Sequence, residues 1–422
     1  MMSLACETSH SQTSLAVGMS RQSSPRGSPS YLKLQQILSQ HKHFHIDLGG
    51  THQGLFDVVA QNMGAALQGY GLNQVLVDNA ESDDFKRQEG MIRVEALFSP
   101  HRKTRGDMTE PLYLHQPNMA VIILQTEQIC CTPYGKSVLP YLQLCHASPN
   151  CILWEYAPTN LQWLQQQGIA DSTVLLPILH QHRLNTYYAS ASTSTTGTGT
   201  GTGTGMLPLH QRPIDVVFFG VMTPRRKQLQ AQLNQIAQQQ EWNLVLQEVE
   251  NSGSRLDYMA NAYQNAKVCL IIHSFFADKN PGEYHRLAEL APSGCVPVVE
   301  TFGDVLFWEN NKDQDNSNKT NVMEDYYGHC GGVIFATLHE LVPSIQAVLF
   351  SIRHDSSNHK NSRLREVLGD SMPDLASKVE NLPPMQDRLN WWNQPVQWDR
   401  ILSIILLDDH DNHLDGDRTG EL

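Results

Sequence analysis

The feature that most constrains the fold is an alternation of short apolar runs with helical segments between residues 214 and 304. The apolar run at 215–220 is followed by three cations at 225–227 and then by a Gln-rich helical pattern. Two further apolar runs, at 267–273 and 296–300, flank a charged helical pattern. Strands that alternate with helices form a parallel sheet, whose ligands bind at the carboxyl ends of the strands. Charged residues follow these runs, so the segment predicts a binding site.

The first half of the chain shows the same alternation. Apolar runs that predict strands occur at 44–48, 74–77, 121–124, 152–154 and 173–176. Apolar residues with helical spacing predict helices at 56–67 and 161–167. We therefore predict an α/β protein with two Rossmann-like, doubly wound parallel-sheet lobes and a ligand cleft between them.

The same patterns suggest how the chain is organised. We predict a disordered N-terminal tail (1–30), a first lobe (31–184), a low-complexity linker (185–213), a second lobe (214–354) and a partly helical C-terminal extension (355–422). Residues 189–205 of the linker are Ala, Ser, Thr and Gly only, and alternating Gly disfavours both helix and stable strand. Trp391 and Trp392 in the extension predict a terminal helix that packs on the body of the protein.

Composition excludes several classes of protein. The 422 residues carry a net charge of -13, which argues against a nucleic-acid-binding protein, because such a protein needs a basic face. No run of 18 apolar residues occurs, so we expect no membrane span. The Ser-rich N-terminus lacks the apolar core of a secretory signal, which favours the cytoplasm and leaves organelle targeting open.

Cysteine and histidine usage bears on redox state and metal binding. Eight Cys are present without a CxxC pair, and a chain of this length folds without disulfides, so we expect reduced thiols. His41, His43 and His45 alternate, but no clustered Cys or carboxylate accompanies them. We therefore predict no metal site.

Four sequence blocks lie in a fixed order along residues 40–305. They are 124–128 (Leu-Gln-Thr-Glu-Gln), 153–160 (Leu-Trp-Glu-Tyr-Ala-Pro-Thr-Asn), 215–220 with Arg225 and Arg226, and 266–273 with 283–286 and 294–300. Their order and spacing resemble the GT-B type glycosyltransferases, in the group that includes the family-four-like retaining enzymes. The chain departs from that pattern at one point, because Ala291 stands where the second glutamate of a pair beginning at Glu283 is expected.

The resemblance implies a donor site on the second lobe for a nucleotide-diphosphate sugar, without a metal. Gly220, Arg225 and Arg226 would form the phosphate-binding turn, where arginine forks and a helix N-terminus hold a diphosphate. Glu283 would bind the ribose or sugar, and Arg286 would reach a phosphate or pair with Glu283. A solvated basic turn and an acidic first-turn residue favoured by the helix dipole are the simpler alternatives.

The acceptor, a glycan or a small molecule, would lie on the first lobe. Gly49 and Gly50 would form a loop that approaches the sugar, with Glu127 and Asn160 beside it. We take Glu127, together with His273 and Glu283 of the second lobe, as the catalytic candidates. Glu127 would be a base or an acceptor ligand, and the imidazole of His273 would donate to a phosphate or hydroxyl. A packed His, a buried Glu and an ordinary turn remain alternatives.

These features predict a glycosyltransferase that transfers a sugar from a nucleotide sugar. Two alternatives stay open. One is a catalytically silent homologue that binds a sugar or nucleotide, which the interrupted glutamate pair favours. The other is a sugar-nucleotide epimerase on the same fold, which would act on the donor without any acceptor.

Overall fold

The computed structural model describes residues 29–47, 57–75, 90–96, 119–126, 128–130, 134–176, 206–248, 255–273, 286–287, 290, 293–301, 327–328, 331–354 and 372–392. The chain divides into two compact units. One, the N-terminal unit, contains residues 9–51 and 59–177, and the other, the C-terminal unit, contains residues 178–396.

The N-terminal unit is built on a parallel sheet of six strands. They are β1 (His43–Asp47), β2 (Asn73–Gln74), β3 (Met91–Ala96), β4 (Met119–Leu124), β5 (Cys151–Glu155) and β6 (Thr173–Leu175). Their spatial order is β2-β1-β3-β4-β5-β6, and every pair is parallel. Every residue of β4 and β5 is buried, as expected for strands covered on both faces.

Helices connect these strands. They are α1 (Pro29–Gln40), α2 (Asp57–Gly69), α3 (Tyr134–Ala147) and α4 (Pro158–Gln166). Helix α4 starts with proline at its first turn, where the missing backbone N–H costs no hydrogen bond. The sequence patterns missed α1, β3 and α3. Strand β3 alternates apolar with charged residues, and α3 contains Pro140.

The C-terminal unit contains a second parallel sheet, of five strands. They are β7 (Ile214–Phe219), β8 (Leu244–Gln247), β9 (Ala266–Ile271), β10 (Val296–Glu300) and β11 (Ile334–Ala336). Their order is β11-β10-β9-β7-β8. Strand β8 therefore lies on one side of β7, and β9, β10 and β11 follow one another on the other side. The order reverses between β7 and β9, and ligands of such sheets bind at that switch point.

Five helices of the C-terminal unit have bounds within the described residues. They are α5 (Pro224–Gln240), α6 (Arg255–Gln264), α7 (Leu341–Arg353), α8 (Pro373–Glu380) and α9 (Met385–Trp392). The buried face of α5 is formed by Arg226, Leu229, Leu233 and Ala237, and its apolar members pack on the sheet. Both units are therefore doubly wound α/β, which confirms the predicted fold class. None of the described helices is long and apolar enough to cross a bilayer.

The expectation of reduced thiols is wrong for the described cysteines. Disulfides join Cys145 to Cys151 and Cys269 to Cys295, and none of the described cysteines is free. The paired Cα atoms lie 5.1 Å and 5.9 Å apart, which is the usual separation for a bond. Chain length removes the need for disulfides but does not prevent the packing of neighbouring elements from bringing thiols together.

The C-terminal helix docks where the tryptophan pair predicted a helix. Trp391 and Trp392 are buried, and Trp392 Nε1 donates to Gly331 O at 2.9 Å. The rings of Tyr327 and Trp392 stack with centroids 5.9 Å apart. A Cβ at Gly331 would lie 2.8 Å from Trp392 Cζ2, so the aromatic rings approach the backbone closely.

Candidate functional site

The candidate site lies at the switch point of the C-terminal sheet, where β7 and β9 end side by side. Gly220 and Val221 follow β7, whereas Ile272 and His273 follow β9. The two strands pair in parallel, with Val216 opposite Val268. Because their carboxyl ends meet at one edge of the sheet, side chains from both loops converge there.

The first turn of α5 is held against this edge. Thr223 has an extended backbone and caps the helix, and its hydroxyl accepts a hydrogen bond from the Arg226 backbone N–H at 3.4 Å. Pro224 occupies the first turn, where its fixed φ favours a helix start. The partial positive charge of the helix N-terminus therefore lies at the switch point.

Arg226, expected to hold a phosphate, is buried, and the backbone occupies its guanidinium. Its Nε donates to Ile272 O at 2.9 Å, and Nη2 donates to the same oxygen. Its Nη1 donates to Val221 O at 2.9 Å, and the guanidinium lies 5.2 Å from the centroid of the Phe218 ring. Only 1% of the residue is exposed. Arg226 therefore ties the end of β7 to the end of β9.

Arg225 lies one residue earlier and forms an ion pair with Glu300, the last residue of β10. Its Nη1 donates to Glu300 Oε2 at 2.8 Å, and Nη2 donates to Oε1, so the pairing is bidentate. Nη1 also donates to His273 O at 2.9 Å. The Arg225 side chain is 18% exposed, whereas that of Glu300 is fully buried. Arg225 thus extends from a buried carboxylate toward solvent.

His273 completes the group and is fully buried. Its backbone N–H donates to Glu300 Oε2 at 2.9 Å, and its ring Nε2 lies 3.1 Å from Glu300 O. A carbonyl oxygen only accepts, so Nε2 carries the proton in this contact. Glu300 therefore joins Arg225 to the end of β9. Glu300 was assigned no role from the sequence, although it ends a strand within the last resemblance block.

Gly220 lies between two guanidiniums. Arg286 Nη1 donates to Phe219 O at 3.3 Å. A Cβ built on Gly220 would be 3.0 Å from Arg226 Nη1 and 3.2 Å from Arg286 Nη1. The absence of a side chain at this position lets both arginines approach the end of β7.

Arg225, Arg226, Arg286 and Glu300 bring three positive charges and one negative charge to the edge of the sheet. The net charge of these four side chains is therefore +2. A groove of about 530 Å³ opens beside Arg225, between α5 and the start of α7. Volumes of this order accommodate small ligands. The arrangement can therefore attract and hold an anionic ligand.

The remaining second-lobe candidate, Glu283, lies outside the described residues, as do Gly49, Gly50 and Glu127 of the first lobe. The structure therefore brings together Gly220, Arg225, Arg226, His273 and Arg286. The described residues contain no group of three or more His, Cys, Asp or Glu side chains that could hold a metal ion.

In the N-terminal unit, Asn160 is buried beside Glu155 at the start of α4. Asn160 Oδ1 accepts from the Cys130 backbone N–H at 3.2 Å. Glu155 Oε1 accepts from the backbone N–H groups of Tyr156 and Ala157, each at 2.9 Å, and Gln125 Nε2 donates to Oε2 at 2.9 Å. Complete burial raises the pKa of Glu155 to about 8, against the opposing effect of these donors.

Comparison with known proteins returns glycosyltransferases. The catalytic domain of starch synthase IV from Arabidopsis thaliana, bound to ADP and acarbose, matches 83% of this chain and 99% of its own, at 12% identity and a TM-score of 0.35. AviGT4, a glycosyltransferase of avilamycin A biosynthesis, matches 86% and 98%, at 13% identity and a TM-score of 0.35. A trehalose-6-phosphate synthase matches 89% and 95%, at 11% identity and a TM-score of 0.34.

These three structures share only 11–13% identity with the chain. Their TM-scores are low, so the fold assignment rests on the strand order and the parallel pairing of the two sheets. No protein-family model matches the chain, and no curated protein matches it significantly.

Proposed function

We propose that this protein is a glycosyltransferase that binds a nucleotide-diphosphate sugar at the switch point of its C-terminal sheet. The observation that carries the proposal is the position of Arg226 and Arg286 against Gly220 at the end of β7, with Arg225 bound to His273 O at the end of β9. An excess of positive charge at the carboxyl ends of parallel strands, beside a helix N-terminus, suits a diphosphate.

Within this proposal the two adjacent arginines have different tasks. Arg225 is the partly exposed one, so it contacts the diphosphate while Glu300 fixes its orientation. Arg226 is buried and fixes the backbone of the phosphate-binding turn through its hydrogen bonds. Its positive charge acts on the diphosphate without direct contact. When the bond between sugar and diphosphate breaks, negative charge grows on the leaving oxygen. Cations that are already in place stabilise that charge without reorganising.

The other proposed roles rest on the sequence resemblance. Glu283 binds the ribose or the sugar, and Glu127 acts on the acceptor, which approaches Gly49, Gly50 and Asn160. His273 was proposed to donate to a phosphate or hydroxyl. Its ring proton faces Glu300 O, which supports a positioning role through the Arg225–Glu300 pair instead.

The two disulfides bear on the compartment. The cytoplasm keeps most thiols reduced, and disulfides persist mainly where the environment is oxidising. The pairs Cys145–Cys151 and Cys269–Cys295 therefore favour an oxidising compartment over the cytoplasm.

A binding experiment tests the proposed donor site. We would measure the thermal stability of the full chain with UDP-, GDP-, ADP- and TDP-sugars, for the wild type and for Arg225→Met. A ligand at about 100 times its Kd adds roughly 2.7 kcal/mol to the native state. We expect a shift with one nucleotide class in the wild type and a much smaller shift in the variant.

Two controls make the result specific. Lys227→Met removes the same charge from an exposed position two residues along α5, and it should respond as the wild type does. Arg225→Met/Glu300→Gln keeps the buried site neutral, so a lost response there is not caused by an unpaired carboxylate. If no nucleotide sugar shifts the wild type, the donor site is wrong.

Product analysis separates the enzymatic alternatives. With donor alone, a glycosyltransferase releases nucleoside diphosphate slowly and accelerates when an acceptor is added. An isomerised sugar nucleotide would indicate an epimerase. A donor that binds without any turnover would indicate a catalytically silent homologue.

A further inference from the structure

Two buried arginines lie at the opposite edge of the C-terminal sheet, beneath α9. Arg212 precedes β7, and Arg388 is on α9 itself. Arg212 is 1% exposed and Arg388 is 3% exposed. Neither contributes to the candidate donor site, which lies at the carboxyl ends of the strands.

The partners of Arg212 are all uncharged. Its Nη1 donates to Ala266 O at 2.8 Å, at the start of β9, and its Nε donates to Leu207 O at 3.1 Å. Its Nη2 lies 3.6 Å from Met385 Sδ, in the first turn of α9. A thioether is a weak acceptor, so this guanidinium edge is poorly satisfied.

Arg388 is satisfied even less. Its Nη1 donates to Cys295 O at 2.9 Å, just before β10. Its Nε is buried and has no hydrogen-bond partner in the part of the chain that the structure describes. The stem of Arg388 passes against Gly332, where φ is +67° and an added Cβ would clash with the side chain. The closeness of this backbone holds the guanidinium in place.

The two guanidiniums are neighbours. Arg212 contacts Met385, which lies one helical turn before Arg388 on α9. The backbone acceptors of the two arginines are also close, because Ala266 begins β9, Cys295 directly precedes β10, and these strands are adjacent. Burial, and then the nearby charge of Arg212, lower the pKa of Arg388 to about 10, so both remain charged at neutral pH. No carboxylate of the described residues forms an ion pair with either. Two like charges without a counter-ion are costly to bury.

We propose that Arg212 and Arg388 bind a small inorganic anion, of the chloride or phosphate class, between α9 and the amino-terminal edge of the C-terminal sheet. The unpartnered Nε of Arg388 and the weakly satisfied Nη2 of Arg212 supply the donors. Guanidinium forks favour anions by charge and by geometry together. The anion neutralises part of the buried charge and fastens α9 to the sheet.

Anion-dependent unfolding of the full chain tests this site. We would compare sodium chloride and sodium phosphate with sodium gluconate, whose anion is bulky, at equal ionic strength. An anion at about five times its Kd should raise the Tm by about 2–4 °C, in a saturable manner. A response to chloride and not phosphate assigns a monatomic anion, whereas a stronger response to phosphate assigns an oxyanion.

Two variants locate the effect. Arg388→Met replaces the guanidinium with an apolar side chain of similar length, and we expect it to abolish the difference between the anions. Arg353→Met removes an exposed arginine at the end of α7 and should respond as the wild type does. Equal responses of Arg388→Met and the wild type would overturn the proposal, and so would equal Tm values in all three salts.

A direct measurement covers the case in which Arg388→Met does not fold. If the site binds chloride, chloride NMR linewidths should broaden in the presence of the wild-type protein. Phosphate should reverse the broadening if the same site also binds an oxyanion. Arg388→Lys keeps the charge but loses the fork, and we expect it to broaden the line less. The site would be excluded if the protein does not broaden the chloride line, phosphate does not change it, and the Tm values in chloride, phosphate and gluconate are equal.

Discussion

Each unit buries a glutamate at the end of a strand, and the two carboxylates are satisfied in opposite ways. Glu155 ends β5 and is surrounded by neutral donors, namely an amide and two backbone N–H groups. Glu300 ends β10 and is paired with the guanidinium of Arg225. Both are fully buried. Similar strand ends therefore serve different purposes: Glu155 holds the backbone that leads from β5 into α4, whereas Glu300 holds a cation at the edge of the sheet.

The largest expected effect comes from breaking the charged pair. Arg225→Met leaves Glu300 buried without its partner, and the free energy of unfolding should fall by about 3 kcal/mol. Arg225→Met/Glu300→Gln should recover part of this loss, because it removes the isolated charge. Chemical denaturation of both variants measures the difference. Equal loss in both would mean that the pair is not a coupled unit.

Glu300→Gln should cost somewhat less than Arg225→Met. It leaves Arg225 without a carboxylate, but that side chain is partly exposed and reaches water. The substitution also replaces the charged acceptor of the His273 backbone N–H with a neutral amide oxygen. Hydrogen bonds to charged groups contribute about 1.5–3 kcal/mol each. Denaturation at neutral pH checks the value. A cost below that of Glu155→Gln would reverse the comparison.

Glu155 should make stability depend on pH. Its pKa is about 8 in the folded protein and 4.5 as the ordinary value, so the folded state binds the extra proton. Stability from this group is therefore present at low pH and is lost as pH rises from about 4.5 toward 8. Glu155→Gln should flatten the decline. Unfolding curves across this range measure it, and an unchanged slope in the variant would contradict the assignment.

The smallest expected effect is that of Glu155→Gln below about pH 4.5, where Glu155 is protonated in the unfolded protein as well as in the folded one. The carboxyl is mostly protonated there, and the variant amide has a similar shape, so the change should be below about 1 kcal/mol. The side-chain amide of Gln125 can rotate so that its oxygen accepts a hydrogen bond from the amide introduced at position 155, which preserves the contact. A loss as large as that of Glu300→Gln would show that Glu155 is charged in the folded protein.

The sequence predicted the fold because the apolar runs of a parallel sheet are distinctive. It missed β3, where Arg93 and Glu95 interrupt the apolar residues, and α3, which contains a proline. It also missed both disulfides, since sequence spacing says nothing about which strands become neighbours. Strand order depends on packing between distant segments, which a local pattern does not carry.

For the candidate site, the sequence indicated residues but not their contacts. Three cations in succession look alike in the sequence, and phosphate binding was assigned to Arg225 and Arg226 alike. Yet Arg226 is in phase with Leu229 and Leu233 on α5, and that helical spacing indicates a buried residue. Glu300 could have been found as a carboxylate directly after a buried strand. Its pairing with Arg225 could not, because 75 residues separate the two.

The most direct test of the account is calorimetric titration of nucleoside diphosphates into the wild type, Arg225→Met/Glu300→Gln and Lys227→Met. The account predicts that one nucleoside diphosphate binds the wild type and Lys227→Met alike. It also predicts binding at least about tenfold weaker in the double variant, equivalent to about 1.4 kcal/mol. Equal affinity for all three proteins would contradict a donor site at the ends of β7, β9 and β10.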